Sequence, residues 1–408
     1  MKSWFNSRSL VNKADLDRIY KYEKFSDSLW LYPEHVLSHW ESTDKYIDIP
    51  EEVNRVYNML GRPTPITRAK ELEEYLGTDC KIFFKREDLL PNGSFKISSA
   101  IPQAYFGSIE GRKEVITETG AGQTGVAASL ASCLFHMKST IFMVRSSFNQ
   151  KPLRRKLMEV YGSKVYPSPS EITQYGKQQL AMGNDSGSIA KATSEVFEVL
   201  SKIDNGMNIA GSLLDFTLTY NSVIGLESIA QLKEMGIKAD TVIGCVGGGS
   251  SFGGLAVPFI DLCDSTEIIA TESAAIPTLT KGEYKYDYAD GEGESNPLLM
   301  YSLGHQYQPS HMHASGLRYH AASPIISYLV HKKRIRPVAY DEEISMKSAI
   351  QLSRLESFLV SPESSYTIQA VMETAKTYHG TGKVILALVT GCGHLDLDAY
   401  GKFIRDED

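Results

Sequence analysis

TVIGCVGGGSS, residues Thr241 to Ser251, runs from an apolar segment into three successive glycines. Its β-branched and apolar first half reads as a buried strand, and a helical pattern follows the second half. Between them Gly247, Gly248 and Gly249, with Ser250 and Ser251, let backbone N–H groups close on an anion. The helix N-terminus behind them adds a favourable dipole, so a phosphate cup is one reading. A tight strand-to-helix turn that binds nothing is the other. The spacing is not GxGxxG, so a dinucleotide fingerprint is poorly matched.

The same strand–glycine loop–helix unit recurs in ITETGAGQTGVAA, Ile116 to Ala128. Here a strand ends in Glu118 and Thr119, runs through Gly120, Ala121, Gly122 and Gln123, and opens a helix near Thr124. Successive N–H groups in such a loop suit an α-carboxylate, and Glu118 is placed for proton transfer. Its plain alternative is a solvated cap. In NGSFKISSA, Lys96 lies between Phe95 and Ile97. Apolar company disfavours the charged amine and favours one able to form a Schiff base, against the ordinary reading of a lysine snorkelling from a helix start. LVTGCGHLD places Thr390 and Cys392 at the end of the last predicted strand, where short polar groups can meet a ring nitrogen.

The rest of the chain is consistent with α/β architecture. Strands are predicted in KIFFKRED, EVITETG, STIFMVRSS, SKVYPS, TEIIATES and KVILALVTG, and helices in VAASLASCLFHM, PLRRKLMEVYG and YDEEISMKSAIQLSRLE. This alternation implies two doubly wound α/β domains with a cleft between them, about 61–205 and 206–408. Residues 1–60, rich in aromatics and charges, read as helical turns packing on that core and end at the break GRPTP. KGEYKYDYADGEGESNPLLMYSLGHQYQPSHMHASG is too long for an ordinary loop and reads as irregular. The 408 residues carry a formal net charge of −7 without a strong basic run, which argues against nucleic acid as a partner. No stretch approaches the about 18 apolar residues of a transmembrane helix, and the N-terminus is too polar for a secretory signal. Five widely spaced cysteines without a CxxC pair fit reduced thiols in the cytoplasm.

A phosphate cup, an apolar lysine, a carboxylate loop and a polar strand end make up the four contacts that pyridoxal phosphate requires. The chain resembles the fold-type II pyridoxal-phosphate enzymes, and within them the tryptophan synthase β chains of the second, longer type. The resemblance covers about 60–400 and is carried by GRPTP, ETGAGQTG, QKPLRRKLMEVYGSKVYPSPS, LMYSLGHQYQPSHMHASGLRYH, SPESS and TGCGHLDLDAY. It implies Lys96 as the Schiff-base lysine and Glu118 as the catalytic carboxylate. Thr119 and Gly120 to Thr124 would hold the substrate carboxylate, Gly247 to Ser251 the cofactor phosphate, Thr390 the pyridine nitrogen, and Glu363 would lie near the ring. The implied reaction is a lyase-type β-replacement on serine or O-phosphoserine through an aminoacrylate, with indole or another small nucleophile. A mobile segment about 110–200 would close over the site. A homodimer without a dedicated α subunit is implied, as is a monovalent cation for which no motif is visible.

Departures from the family pattern matter too. Phe95 replaces a phosphate-contacting His, Ser98 an Asn, Ser251 the Asn after GGGS, Thr124 a bulky residue and Tyr366 a His. Several of these changes are expected to line the acceptor side of the pocket, which puts indole in question. KRED with GSFKI is similar to the serine/threonine dehydratases, so a β-eliminating deaminase is the alternative; a cofactor-binding or cofactor-free partner subunit is a third. His305, His311, His313 and His320 invite a metal, but a gating or structural loop is the preferred reading and no metal is expected. Arg318 offers a guanidinium for a phosphate or second carboxylate, or pairs with a structural carboxylate. HKKRIR, His331 to Arg336, reads as solvated surface.

Overall fold

The computed structural model describes all residues except 24–26, 28–29, 186, 291–292, 294, 308–311 and 405–408. In chain order the strands are β1 (Ser3–Phe5), β2 (Tyr46–Asp48), β3 (Ile66–Arg68), β4 (Lys81–Arg86), β5 (Glu114–Thr119), β6 (Lys138–Val144) and β7 (Lys164–Ser168). They continue as β8 (Gly206–Met207), β9 (Thr241–Cys245), β10 (Glu267–Ser273), β11 (Glu283–Asp287), β12 (Leu298–Ser302), β13 (Arg336–Tyr340) and β14 (Val384–Val389). One sheet runs β7-β6-β5-β8 and is parallel throughout. The other runs β13-β10-β9-β14-β4-β3 and is parallel except for β3 at its edge. Strands such as VILALV in β14 are buried along their whole length, as parallel strands covered on both faces by helices must be.

Sheet membership departs from the division expected at 205/206. KIFFKR, read as part of the first block, forms β4 and pairs with β14 from Val384↔Lys81 to Val389↔Arg86. Conversely β8, just past the expected boundary, extends the first sheet by pairing with β5. The order β9-β14-β4 sets three carboxyl ends side by side, and these are the ends that lead to Gly247, Thr390 and Lys96. Ligands of open parallel sheets bind at such ends.

One further difference concerns local structure. The stretch read as irregular contains an antiparallel ribbon, with β11 paired to β12 from Glu283↔Ser302 to Asp287↔Leu298. In HKKRIR, read as solvated surface, His331 to Arg334 and Arg336 are exposed and Ile335 is buried; Arg336 begins β13. No helix among the described residues is long and apolar enough to cross a membrane.

Residues 1–60 contain helices Lys13–Ile19, Glu34–Glu41 and Glu51–Met59 and the antiparallel pair β1/β2. Trp4, Phe5, Val36, Trp40 and Val53 merge with the main hydrophobic core. Polar ties reinforce this docking: the Phe5 N–H donates to Ser222 Oγ at 2.7 Å, and the Asn208 N–H to the Leu31 carbonyl at 2.7 Å.

His39 on the helix Glu34–Glu41 shares a 2.9 Å hydrogen bond with the Tyr220 hydroxyl and lies edge-on to Phe106 at 5.1 Å. Burial, helped by His35, lowers its pKa from 6.5 to about 4. Between these values the unfolded chain binds more protons than the folded one, so acid withdraws stability. Urea denaturation should therefore show the unfolding free energy falling as the pH drops from about 6.5 towards 4. In His39→Gln, which cannot titrate, that acid dependence should be reduced.

Candidate active site

Lys96 follows β4 through a turn and caps the helix Ile97–Ile109. Gly93 in that turn has φ +68°, and a Cβ there would lie 2.7 Å from Cys392 Cβ, so the backbone approach requires glycine. The Phe95 N–H donates to Thr390 Oγ1 at 3.2 Å, which fixes the lysine against the end of β14. Lys96 Nζ donates to the Gly211 carbonyl at 2.9 Å and lies 4.9 Å from the Phe95 ring centre. Burial pushes its amine down from 10.5 to about 8, against the opposing pull of Glu363. At pH 7 about one such amine in ten is neutral, compared with about one in three thousand for an ordinary lysine.

The glycine loop after β9 lies beside this amine. A Cβ on Gly247 would lie 2.5 Å from the Gly316 carbonyl oxygen, and one on Gly248 2.4 Å from Ser212 Oγ, so neither position admits a side chain. Gly249, at φ +100°, caps the helix Ser250–Leu262. Ser250 Oγ donates to the Gly211 carbonyl at 3.2 Å, the acceptor it shares with Lys96. A cavity of about 50 Å³ is lined by Lys96, Gly247 to Ser251, Glu363 and Thr390. The Gly316 N–H donates to Glu363 Oε1 at 2.8 Å, while Glu363 Oε2 is buried without a hydrogen bond. Burial works to raise this carboxyl, but Lys151 and Arg154 hold it below its ordinary value.

A second cavity, of about 460 Å³, adjoins the first through Lys96, Gln123, Ser212, Gly248 and Gly316. Glu118, Thr119, Gly120, Ala121, Gln123 and Thr124 line it, and so does Arg318. Burial raises the Glu118 carboxyl above its ordinary value, and Asn208 Nδ2 donates to its Oε2 at 3.4 Å. Gly122, at φ +98°, caps the helix Gln123–Leu134, and its N–H donates to Thr119 Oγ1 at 3.1 Å. The Thr119 hydroxyl thus shapes the loop. Arg154 braces the loop from behind, donating to the Ala121 carbonyl at 2.8 Å and to Asp396 Oδ2 at 2.6 Å. Burial lowers the Arg318 guanidinium below its ordinary value.

Every expected site residue thus lines one of two adjoining cavities, apart from Gly122, which shapes the loop between them, and Cys392, whose Sγ lies 3.5 Å from His394 Nδ1 and which lines neither. The departures are distributed differently from expectation. Of the five, Thr124 lines the large cavity and Phe95 and Ser251 the small one. Ser98 is buried and accepts from Arg62 Nε at 3.1 Å, while Tyr366 is buried in a separate apolar cluster with its hydroxyl on Ser273 Oγ at 3.2 Å. The histidines are dispersed: His305 Nδ1 meets Asp287 at 2.6 Å, His313 Nδ1 meets Glu342 at 3.1 Å, and His320 Nε2 meets the Tyr288 carbonyl at 2.9 Å. His311 lies outside the described residues.

Motif reading missed Asn208, Gly211 and Ser212, which stand opposite Lys96 and Glu118. Their only sequence signal is the small-residue run NIAGS after the two-residue strand β8. It also missed Glu23, Trp30 and Tyr32, which bring the N-terminal segment into the wall of the large cavity.

The pattern of the family described as "Pyridoxal-phosphate dependent enzyme" matches residues 57–391. The chain is 43% identical to a tryptophan synthase beta chain of Pyrobaculum arsenaticum, over 92% of each chain. It is 42% identical to a tryptophan synthase beta chain 2 of Aquifex aeolicus, over 93% of this chain and 89% of that one. A fungal L-serine ammonia-lyase from Rhizomucor miehei shares the fold with a TM-score of 0.62 at 17% identity, covering 86% of this chain and 99% of that one. A threonine deaminase of T.th. does so with a TM-score of 0.62 at 18% identity, covering 84% and 97%. The chain belongs to the pyridoxal-phosphate dependent enzymes of fold type II, and within them to the family of the tryptophan synthase beta chains.

Proposed function

We propose that the protein catalyses a β-replacement on serine or a serine-like amino acid, with the nucleophile held in the large cavity. The observation that carries this reading is the shared wall. Lys96 and the half-buried carboxylate Glu118 line one cavity of about 460 Å³, larger than a three-carbon amino acid requires. A deaminase needs no room for a second substrate.

The residues present fit pyridoxal phosphate. Gly247 and Gly248 form a cradle that any Cβ would fill, and beside it the buried Glu363 Oε2 has an unused acceptor. Gly247 to Ser251 would hold the phosphate, Lys96 the aldehyde carbon, and Thr390 and Glu363 the ring. When bound, the cofactor supplies an electron sink that loosens the α-proton and the β-leaving group of an amino acid. The protein's part is positional and protolytic. Lys96, largely desolvated, is poised to exchange a proton near neutral pH. The loop Gly120 to Thr124, backed by Arg154, presents a helix N-terminus to the substrate carboxylate. Glu118, its proton affinity raised by burial, takes the proton that the nucleophile gives up. Arg318 stands in the same wall for an anionic group of the substrate.

Five free cysteines suit a reducing compartment, so we also read the protein as cytoplasmic. Its resemblance to the β chains supports a homodimer that works without a dedicated α subunit.

Two outcomes test these roles. On mixing cofactor-free protein with pyridoxal phosphate, the rate at which a visible absorbance band develops should rise about tenfold per pH unit below pH 8 and level off above it. Lys96→Ala should give no band. Glu118→Gln should keep the band and lose about 10²- to 10⁴-fold in turnover of serine with a nucleophile, followed by mass spectrometry of the Cβ-substituted product. Pyruvate and ammonia as the only products would favour elimination instead.

A further inference from the structure

The large cavity is closed on one side by the N-terminal segment. Glu23, Asp27, Trp30, Leu31, Tyr32 and Trp40 all line it. Asn208 joins this wall to the catalytic strand: its backbone N–H donates to the Leu31 carbonyl at 2.7 Å, and its side chain reaches Glu118. Trp30 meets Phe197, which also lines the cavity, at 5.4 Å with the rings inclined at 66°. An aromatic ligand therefore has ring faces and edges to lie against.

The polar groups on this wall are biased towards acceptors. Among the described lining residues four carboxylates, Glu23, Asp27, Glu118 and Asp290, face two cationic side chains, Lys96 and Arg318. Lys96 is committed to the cofactor in the reading above. The Tyr32 hydroxyl lies in the field of both Glu118 and Glu23, so the two carboxylates act on a common region. Asn208 is only 3% exposed, and its Oδ1 has no hydrogen-bond partner, which leaves a buried acceptor beside Glu118. Glu23 is hydrogen-bonded by Asn296, and burial together with Asp27 pushes its carboxyl up to about 7. A cation or a strong N–H donor beside Glu23 would relieve that cost, whereas an anion would increase it. Indole is neutral and supplies no such cation.

We propose that the second substrate is an aromatic base carrying a cationic or multiply N–H-donating nitrogen group, with Glu23 reading that group and Trp30 and Phe197 its ring. This inference rests on the β-replacement reading and names the class of nucleophile. The overall step balances without a further reactant. The nucleophile's nitrogen bonds to serine Cβ, the Cβ–O bond breaks, and the hydroxyl leaves as water with the proton from nitrogen.

Benzamidine, benzamide and benzoate are near-isosteric probes that differ in charge, and their binding to the holoenzyme can be measured by calorimetric titration. Benzamidine should bind at least tenfold more tightly than benzamide, with benzoate weakest. Glu23→Gln should remove most of that preference and Glu23→Asp retain part of it. Trp30→Ala, which alters a 43% exposed side chain and spares the carboxylates, should weaken benzamidine and benzamide alike. Equal binding of benzamide and benzamidine, or an undiminished preference in Glu23→Gln, would overturn the inference. With serine as donor, mass spectrometry should show a 2-aminobenzimidazole adduct formed with higher kcat/KM than the indole adduct. A faster indole adduct would overturn this inference and leave β-replacement standing. Pyruvate and ammonia alone from every nucleophile would overturn the β-replacement reading and this inference with it.

Discussion

The site depends on a buried guanidinium. Arg62, 6% exposed, donates to Glu87 at 2.6 Å, to Glu227 at 2.7 Å and to Ser98 Oγ at 3.1 Å. Lys85 adds a second cation, with Nζ 2.8 Å from Glu227 and 2.7 Å from the Thr64 carbonyl. Two positive and two negative charges thus balance in a region that excludes water. Each ion pays a desolvation penalty, so removal of any one leaves an uncompensated charge worth about 3–5 kcal/mol. Through Ser98 the network pins the first turn of the helix that Lys96 begins. Through Glu227 it pins the helix Val223–Glu234, in which Gly225 allows close packing on the helix behind the phosphate-sized loop: a Cβ there would lie 2.5 Å from the Leu255 carbonyl. The lysine and the glycine loop are therefore both referenced to one fixed point.

On that scaffold, burial acts in opposite senses on groups a few residues apart in space. It lowers Lys96 and raises Glu118, so both protonation equilibria move towards neutrality. Glu363 is the exception. Lys151 and Arg154 outweigh its burial and keep it anionic, and that negative charge in turn supports protonation of Lys96. Arg154 also holds the Ala121 carbonyl and Asp396, so the QKPLRRKLM and GHLD motifs meet behind the carboxylate loop. This contact gives a physical reason for two strings of sequence that carry no chemistry of their own.

Much of this was legible in the sequence. Strand, glycine and helix start are local signals, and the residues they mark, Lys96, Glu118, Gly247 to Ser251 and Thr390, lie around the two cavities. Strand order was not legible. The period of a buried strand says nothing about its neighbour, so β4 read as part of the first sheet until its pairing with β14 placed it in the second. The ribbon β11/β12 was hidden because its two strands are separated by residues 288–297, too many for the two-residue hairpin turn that an Asp-Gly pair signals. Asn208 and the N-terminal wall escaped because their roles arise from contacts between segments far apart in the chain.

Thr124 shows how a local change and a distant segment combine to set the space available to a ligand. Gly211, whose carbonyl receives Lys96 Nζ, packs so closely on Thr124 that a Cβ would lie 2.4 Å from its Oγ1. A bulkier side chain at 124 is blocked on that side and would have to extend into the large cavity. Threonine leaves that volume open, and Trp30, Tyr32, Glu23 and Asn208 line the same cavity. Tyr366 and Ser98, the other departures near the family motifs, point into the protein interior and leave the cavity's outline unchanged. The outline of the large cavity is therefore set less by the residues flanking the lysine than by one small side chain and an N-terminal segment that sequence motifs do not mark.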